Sequence, residues 1–334
     1  MSKIKLCSEC FEEHEMRKIE DDIIHEIKGE KFKNKVKKYI CPNCGQKSTP
    51  DSEFDKSLLK AFNEYRKKHN LLFPDEIKEI REIYGLNQRA FSRVLGWGEI
   101  TIHRYENGAL QDNPHDDLLQ TLRENPENMK MILEKHKDNL KSKTYEKVKK
   151  KVNQLIQKEN MKKGLINEYR AYEEEFTGNK PFELQKLSNV VVFFAEKINN
   201  LWKTKLLKLL WYAEFENYRK NSVSICGTPF IHYDHGPVPP KFRALFSVLE
   251  ENEKSVEIKE IQNPIYSGEI FQPKSKFNES LFSSKELETL NFVTEKFKNH
   301  TSKELVNKTH EEEAYLKTNY EEPIPYEFSK NLKI

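Results

Sequence analysis

The chain has 334 residues, 33% of them charged and 36% hydrophobic, with a mean hydropathy of −0.84. That length and balance describe a soluble, heavily solvated protein with room for two or three domains, each with its own core. A formal net charge of +3 supplies no global field for nucleic acid, so any basic surface must be local. No apolar run approaches the ~20 residues of a transmembrane helix, and the opening MSKIKLCSEC lacks the apolar stretch of a signal peptide. The expected location is the cytoplasm, with no membrane partner.

Four of the five cysteines fall in two C-x-x-C pairs, Cys7-Ser8-Glu9-Cys10 and Cys41-Pro42-Asn43-Cys44. Each such turn can aim two thiolates at one ion, and two turns complete the tetrahedral set that zinc prefers. With no position left open for water, the zinc would be structural, folding a segment too small for a core of its own. Free thiols or a redox pair are the other readings of these residues. Ile23 to Ile40 is rich in Ile, Val, Phe and Tyr around Lys28-Gly29-Glu30, which predicts a small β hairpin carrying the second cysteine pair. With four thiolates available, His14 and His25 read as surface histidines. Residues 1–50 form the expected zinc module.

Residues 51–139 read as a connector helix followed by a five-helix DNA-binding domain. Leu58, Leu59, Phe62 and Tyr65 recur at helical spacing and predict an amphipathic helix over Ser52 to Lys68. Phe73-Pro74-Asp75-Glu76 opens the next helix, with proline and acids in the first turn and Gly85 ending it. Asn87 is the expected N-cap of a helix running from Gln88 to Leu95, and Gly96 sits where a tight turn needs a positive φ. Leu95, Trp97 and Ile102 would close the core beneath that turn. The spacing is that of a helix-turn-helix, with Gln88 and Arg89 on the first helix and Glu99, Ile100, Thr101, His103 and Arg104 presented as the recognition face. An ordinary helical hairpin would share much of the pattern. Two further helices are expected around Leu118 to Leu122 and Met129 to Leu133.

The run Arg104-Tyr105-Glu106-Asn107-Gly108 resembles the R-Y-E-x-G ending of Cro and repressor type helix-turn-helix proteins, and Leu86-Asn87-Gln88 resembles their opening. Taken with the cysteine pairs, the order of parts from about Leu6 to Leu133 resembles antitoxins of the MqsA type. Gly96, Gly98, Gly108 and the leucines after Pro114 add to the likeness. The resemblance implies a zinc domain and a dimeric helix-turn-helix that represses its own operon. In that family an asparagine near the start of the recognition helix reads bases, and Ile100 stands there in this chain. Arg104 matches the second base reader. The departure implies a different palindromic operator, read with Thr101, His103 and Arg104, and a thymine methyl against Ile100.

Residues 140–175 are lysine-rich, with Val148, Val152, Leu155 and Ile156 at helical spacing and no Gly or Pro until Gly164. A helix with one apolar seam is predicted, as a solvated spacer or a pairing surface in a homodimer, with phosphate contact the less favoured reading. Thr177-Gly178-Asn179-Lys180-Pro181 marks the next boundary.

Residues 176–334 predict a mostly helical domain with a small antiparallel sheet. Val190 to Ala195 is a buried helix or strand, and Lys205 to Ala213 is a helix with Leu206, Leu209, Leu210 and Ala213 inward. Ile225 to Tyr233 reads as a strand or hairpin arm, His235 to Pro240 as a stiff turn feeding a helix, and Val256 to Ile261 with Ser267 to Phe271 as the sheet. Ser283 with Glu286, and Thr301 with Glu304, have capping-box spacing. Lys205-Leu206-Leu207-Lys208-Leu209-Leu210-Trp211-Tyr212-Ala213, Tyr233 with His235-Gly236-Pro237-Val238, Ser302 to Leu305 and Thr309-His310-Glu311 together resemble the Panacea domain of SocA-like proteins. Where that family has a tyrosine before Gly-Pro-Val, this chain has His235. The resemblance implies direct binding of a cognate toxin protein, for which Lys205, Lys208, Tyr212, His235, Gly236, Pro237, Val238 and His310 are the candidate contacts. The same groups could equally pack the helix onto the turn. No phosphate loop, serine elbow or carboxylate–histidine metal motif points to an enzyme, and Cys226 reads as a small buried residue.

The combined expectation is a mainly α, multidomain antitoxin that neutralises a toxin and represses its operon. The competing expectation is a regulator from a phage or mobile element, or a proteolytic adaptor, whose C-terminal domain binds something other than a toxin.

Overall fold

The computed structural model describes residues 3–262 and 267–334, so Met1 and Ser2 of the expected zinc module lie outside the described residues. The chain forms two compact units, Met1–Ile156 and Gln157–Ile334. Among the described residues no helix is long and apolar enough to cross a membrane.

The first unit opens with an antiparallel sheet, β1 (Lys3–Leu6), β2 (Glu13–Ile27), β3 (Glu30–Ile40) and β4 (Lys47–Ser48), in sequential order. Ile27 pairs with Glu30 across a two-residue turn in which Lys28 and Gly29 both have positive φ, 48° and 84°. That is the mirror-image turn whose twist suits a hairpin. Ile27 and Phe32 of this hairpin pack with Ala61, Phe62, Tyr65 and Leu71, using the helix α1 (Asp51–His69). His25 is not a surface histidine. It is 6% exposed and its Nε2 lies 2.7 Å from Ser57 Oγ, because the alternation of β2 turns it towards α1. The seam of α1 also differs from expectation: Ser57, Ala61, Tyr65 and Arg66 are buried, while Leu59 is exposed.

Next come α2 (Pro74–Ile83), α3 (Gln88–Leu95), α4 (Thr101–Glu106), α5 (Asn113–Glu124) and α6 (Pro126–Lys135), the five expected helices. Their shared core includes Ile77, Ile80, Phe91, Val94, Ile102, Leu119, Met129 and Leu133. Asn87 caps α3 by accepting the Ala90 N–H at 2.9 Å, and Gly96 ends it at φ 74°. A carboxylate ties these helices together. Glu106 accepts from Arg81 Nε at 2.6 Å, from Arg81 Nη2 at 3.1 Å and from Gln88 Nε2 at 2.7 Å, while Arg81 Nη1 reaches the Leu86 carbonyl at 2.8 Å. The long helix α7 (Ser142–Arg170) follows; its Val148 and Val152 join this core, and its Leu165 and Tyr169 join the core of the second unit.

The second unit is built around α10 (Lys203–Asn221), in which every residue from Lys205 to Asn217 is buried. The expected inward face of four residues is therefore too narrow. A helix covered on all sides has no polar face to show, so its periodicity is weak. Around it stand α8 (Glu174–Thr177), α9 (Leu184–Lys197), α11 (Phe242–Glu251), α12 (Ser284–Phe297), α13 (Ser302–His310) and α14 (Glu313–Leu316). Both capping boxes are present, at Ser283/Glu286 and Thr301/Glu304. The expected pair β6 (Val256–Gln262) and β7 (Ser267–Pro273) is joined by a third strand, β5 (Leu201–Trp202), in the order β5-β7-β6. Residues 225–233 are not a strand. Only Ile231 forms bridges, to Val238 and Pro323, and the segment's buried amides at Ile225 and Cys226 are bound instead by the carboxylate of Glu214.

The Arg81–Glu106 pair is largely buried, with side-chain exposures of 10% and 6%. Removing one partner leaves the other charge desolvated and unanswered, which costs about 3 kcal/mol or more. Glu106→Ala should lower the urea unfolding free energy of the full chain's first unit by that amount; a loss below about 1 kcal/mol would show that the pair does not hold the helices together.

Candidate functional site

Three places carry the residues singled out by the sequence. The first is the four-cysteine cluster. Each C-x-x-C loop closes a hairpin: Cys7 N–H donates to Glu12 O and Phe11 N–H to Cys7 O, and likewise Cys41 N–H donates to Gln46 O and Gly45 N–H to Cys41 O. Both loops thus use the same turn, with a left-handed residue just after the second cysteine, Phe11 at φ 55° and Gly45 at φ 74°. The sulfurs of Cys7, Cys10, Cys41 and Cys44 all lie within 4.8 Å of one another, with Cys7–Cys44 at 3.5 Å, Cys10–Cys41 at 3.7 Å and Cys10–Cys44 at 3.8 Å. These are far beyond a disulfide bond. Four thiolates at ~2.3 Å from a central zinc would stand about 3.8 Å apart, so the cluster fits a zinc-binding site. The backbone N–H groups of Cys10 and Glu9 bring the Cys7 thiol down to about 6. Desolvation and the adjoining thiols push Cys10 up to about 12. A divalent cation reverses that second effect by stabilising all four thiolates together. His14 is partly covered, with Nε2 3.3 Å from Cys10 Sγ and 3.6 Å from Glu12. That places it beside the cluster as a partner to a ligand sulfur.

The second place is the pair α3 and α4. Ser92 is fully buried and its Oγ accepts the Ile102 N–H at 3.3 Å, which brings the helices into contact. Leu95 and Ile102 lie in the core, whereas Trp97 is only half-buried and stacks on His115 at 3.8 Å. Ile100 (65% exposed), His103 and Arg104 stand out from α4, with Thr101 half-buried beside them. Glu99 precedes the helix and pairs with Arg93, which holds its carboxyl below the usual range. Gln88 is held between Glu106 and His103, whose Nδ1 is 3.1 Å away, while Arg89 is exposed. Of the seven residues, Gln88 and Glu99 are already engaged by neighbours, and Arg89, Ile100, His103 and Arg104 are exposed.

The third place is the turn at 232–238. Lys208 is fully buried and donates to Pro237 O at 3.0 Å. Tyr212, also fully buried, donates to Glu312 at 3.3 Å, and Lys205 donates to the carbonyls of Lys298 and His300 at 2.7 Å. All three are buried: the two lysines hold backbone carbonyls and Tyr212 holds a carboxylate, which is the packing alternative that the sequence left open. A Cβ on Gly236 (φ 90°) would come 2.3 Å from Thr309 Oγ1 and 3.0 Å from Lys208 Nζ, so only glycine fits. Val238 pairs with Ile231 and, like Gly236 and Pro237, is buried. What reaches solvent is Asp234, His235 and an aromatic group the sequence did not disclose. Tyr233 stacks on Tyr320 at 5.5 Å, and Tyr315 stacks with His232 at 3.8 Å and with His310 at 4.3 Å. His310 is half-buried, and burial together with the nearby Lys208 keeps it below the usual imidazole range.

Burial brings Lys208 down to about 7 from 10.5. The unfolded chain then binds one more proton than the folded chain between about pH 7 and 10.5, so stability rises with pH across that window. Lys208→Met should flatten this rise in thermal unfolding followed from pH 7 to pH 9.5. An unchanged slope would mean that Lys208 is charged in the folded protein.

Comparison with known families gives two matches. Residues 5–134 match the antitoxin component of a bacterial toxin-antitoxin system, MqsA, and residues 206–315 match the antitoxin SocA-like Panacea domain. No curated protein matches the chain. The first match takes in the four cysteines and the α3–α4 pair; the second runs from within α10 to Tyr315, through the turn at 232–238. Two stretches of one chain, separated by residues 135–205, are thus each similar to an antitoxin family.

Proposed function

We propose that this protein is the antitoxin of a type II toxin-antitoxin pair, which neutralises a cognate toxin protein through its C-terminal unit and represses its own operon through α3 and α4. The observation that carries this reading is the presence of two antitoxin-family segments in one chain. Repression has the support of the exposed Ile100, His103 and Arg104 on a short helix whose inner face is fixed by Ser92 and Glu106. Such a helix docks in the major groove, and a homodimer would place two of them on a palindromic operator. Toxin capture is assigned to the face around Tyr233, Asp234, His235 and Tyr320, with Gly236, Pro237, Val238, Lys205, Lys208, Tyr212 and His310 shaping it from behind. Zinc is assigned to Cys7, Cys10, Cys41 and Cys44 as a structural ion, with no catalytic role in the chain.

The test is growth rescue against the neighbouring reading frame of the native operon. Residues 157–334 should protect cells, since Leu165 and Tyr169 belong to that core, whereas residues 1–156 should not. Protection by the first unit alone would assign neutralisation to the wrong half, and absence of any toxic neighbour would favour the regulator or adaptor reading. For the ion, the purified protein should contain one equivalent of zinc, and Cys10→Ser should lose it with collapse of the sheet around the cluster. Native protein free of zinc would overturn that assignment.

A further inference from the structure

The lysine-rich stretch is the motif that the antitoxin likeness leaves unused, since it lies beyond residue 134. Its first part is anchored to the helix pair. Val148 and Val152 are buried in the core of α2 to α6, Tyr145, Leu155 and Ile156 pack against it, and Asn139 Nδ2 donates to Arg93 O at 3.3 Å. Leu140, Lys141 and Thr144 therefore line one wall of a cleft of about 450 Å³ whose other wall is Asn87, Gln88, Arg89, Ala90 and Arg93. Gln88 in turn touches His103 of α4, so the cleft adjoins the exposed side of that helix.

Lys147 and Lys151 follow Thr144 by three and seven residues, which on an α-helix keeps them on the same side as the cleft. Both are exposed, as are Arg89, Arg104 and Lys141, and among the described residues none of the five has an ion-pair partner. Apart from the exposed Asp138, beside Asn139, the acids of this region lie elsewhere. Glu134 pairs with Lys149 on the opposite flank of α7, Glu146 falls two residues after Thr144 and so points away, and Glu99 pairs with Arg93 while lying within electrostatic reach of Arg89. A chain of net charge +3 thus places Lys141, Lys147 and Lys151, none in an ion pair among the described residues, beside the helix pair.

We infer that Lys141, Lys147 and Lys151 form a phosphate track that extends the α3–α4 surface, gripping the backbone of duplex DNA beside the groove that α4 enters. The inference rests on the proposed DNA-binding role of α4. The first helix of such a pair crosses the sugar-phosphate backbone, so cations placed just past Arg89 meet phosphates and read no bases. Their contribution is electrostatic, independent of sequence, and carried by counterion release.

The experiment is fluorescence anisotropy of the full-length protein on two duplexes, the region upstream of its own operon and a scrambled sequence, across a KCl series. The Lys147→Gln/Lys151→Gln variant should bind both duplexes roughly tenfold more weakly at 0.15 M salt, with the log–log salt slope reduced by about 0.9 for each phosphate that is no longer neutralised. Lys149→Gln, on the flank paired with Glu134, should leave the slope unchanged and serves as the matched charge control. Arg104→Ala should instead erase the preference for the upstream duplex while keeping the slope within about one unit. Wild-type affinity and slope in the double variant, alongside an erased preference in Arg104→Ala, would overturn the track and leave the role of α4 standing. Failure of the wild-type protein to bind either duplex would remove both.

Discussion

Several buried ionisable side chains of this protein are answered by backbone groups, and the irregular segments depend on it. Loops that pass through or against a core carry amides and carbonyls that need partners. Here the partners are long side chains projecting from helices. Arg66 of α1 donates to the carbonyls of Gly108 and Ala109, Lys205 to those of Lys298 and His300, and Lys208 to that of Pro237, while Glu214 accepts from the amides of Ile225 and Cys226. Each of these bonds costs desolvation of an ionisable group and returns a loop fixed in place. The stretch after α4, the turn at 232–238 and the extended run at 225–226 are held in this way.

This arrangement also decides what the sequence could reveal. Signals whose partners are a few residues apart were legible: the cysteine pairs, the Lys28-Gly29 turn, the Asn87 cap, the Gly96 stop and the two capping boxes all took the form their spacing predicts. Signals that depend on distant contacts were not. Lysine is mostly exposed and tyrosine goes either way, so the sequence left Lys208 and Tyr212 open between surface and packing; the carbonyl of Pro237 and the carboxylate of Glu312 are the partners that accompany their burial. His25 is buried because the opposite face of β2 faces solvent. The two-residue strand β5 is too short to have any periodicity, and Tyr320 meets Tyr233 across 87 positions with no motif to mark it.

The two units present their chemistry differently. On α3 and α4 the inner face is packed through Ser92, Glu106 and the α2–α6 core, and exposed residues such as Ile100, His103 and Arg104 carry none of that packing, so they can change without loss of fold. At the turn of the second unit the reverse holds. Gly236 admits no side chain, Pro237 and Val238 are buried, and the anchoring lysine is inaccessible. Variation there is confined to positions such as Asp234, His235 and Tyr320 around an unchanging turn.

The two cysteine loops share one backbone design but not one cost. Gly45 adopts its left-handed conformation freely, whereas Phe11, at φ 55° and 78% exposed, keeps a side chain where an L-residue loses about 1 to 2 kcal/mol and recovers little by burial. That strain subtracts from the free energy holding the first loop shut. Of two loops with the same hydrogen bonds, the Cys7–Cys10 loop is therefore the one whose backbone works against its own closure.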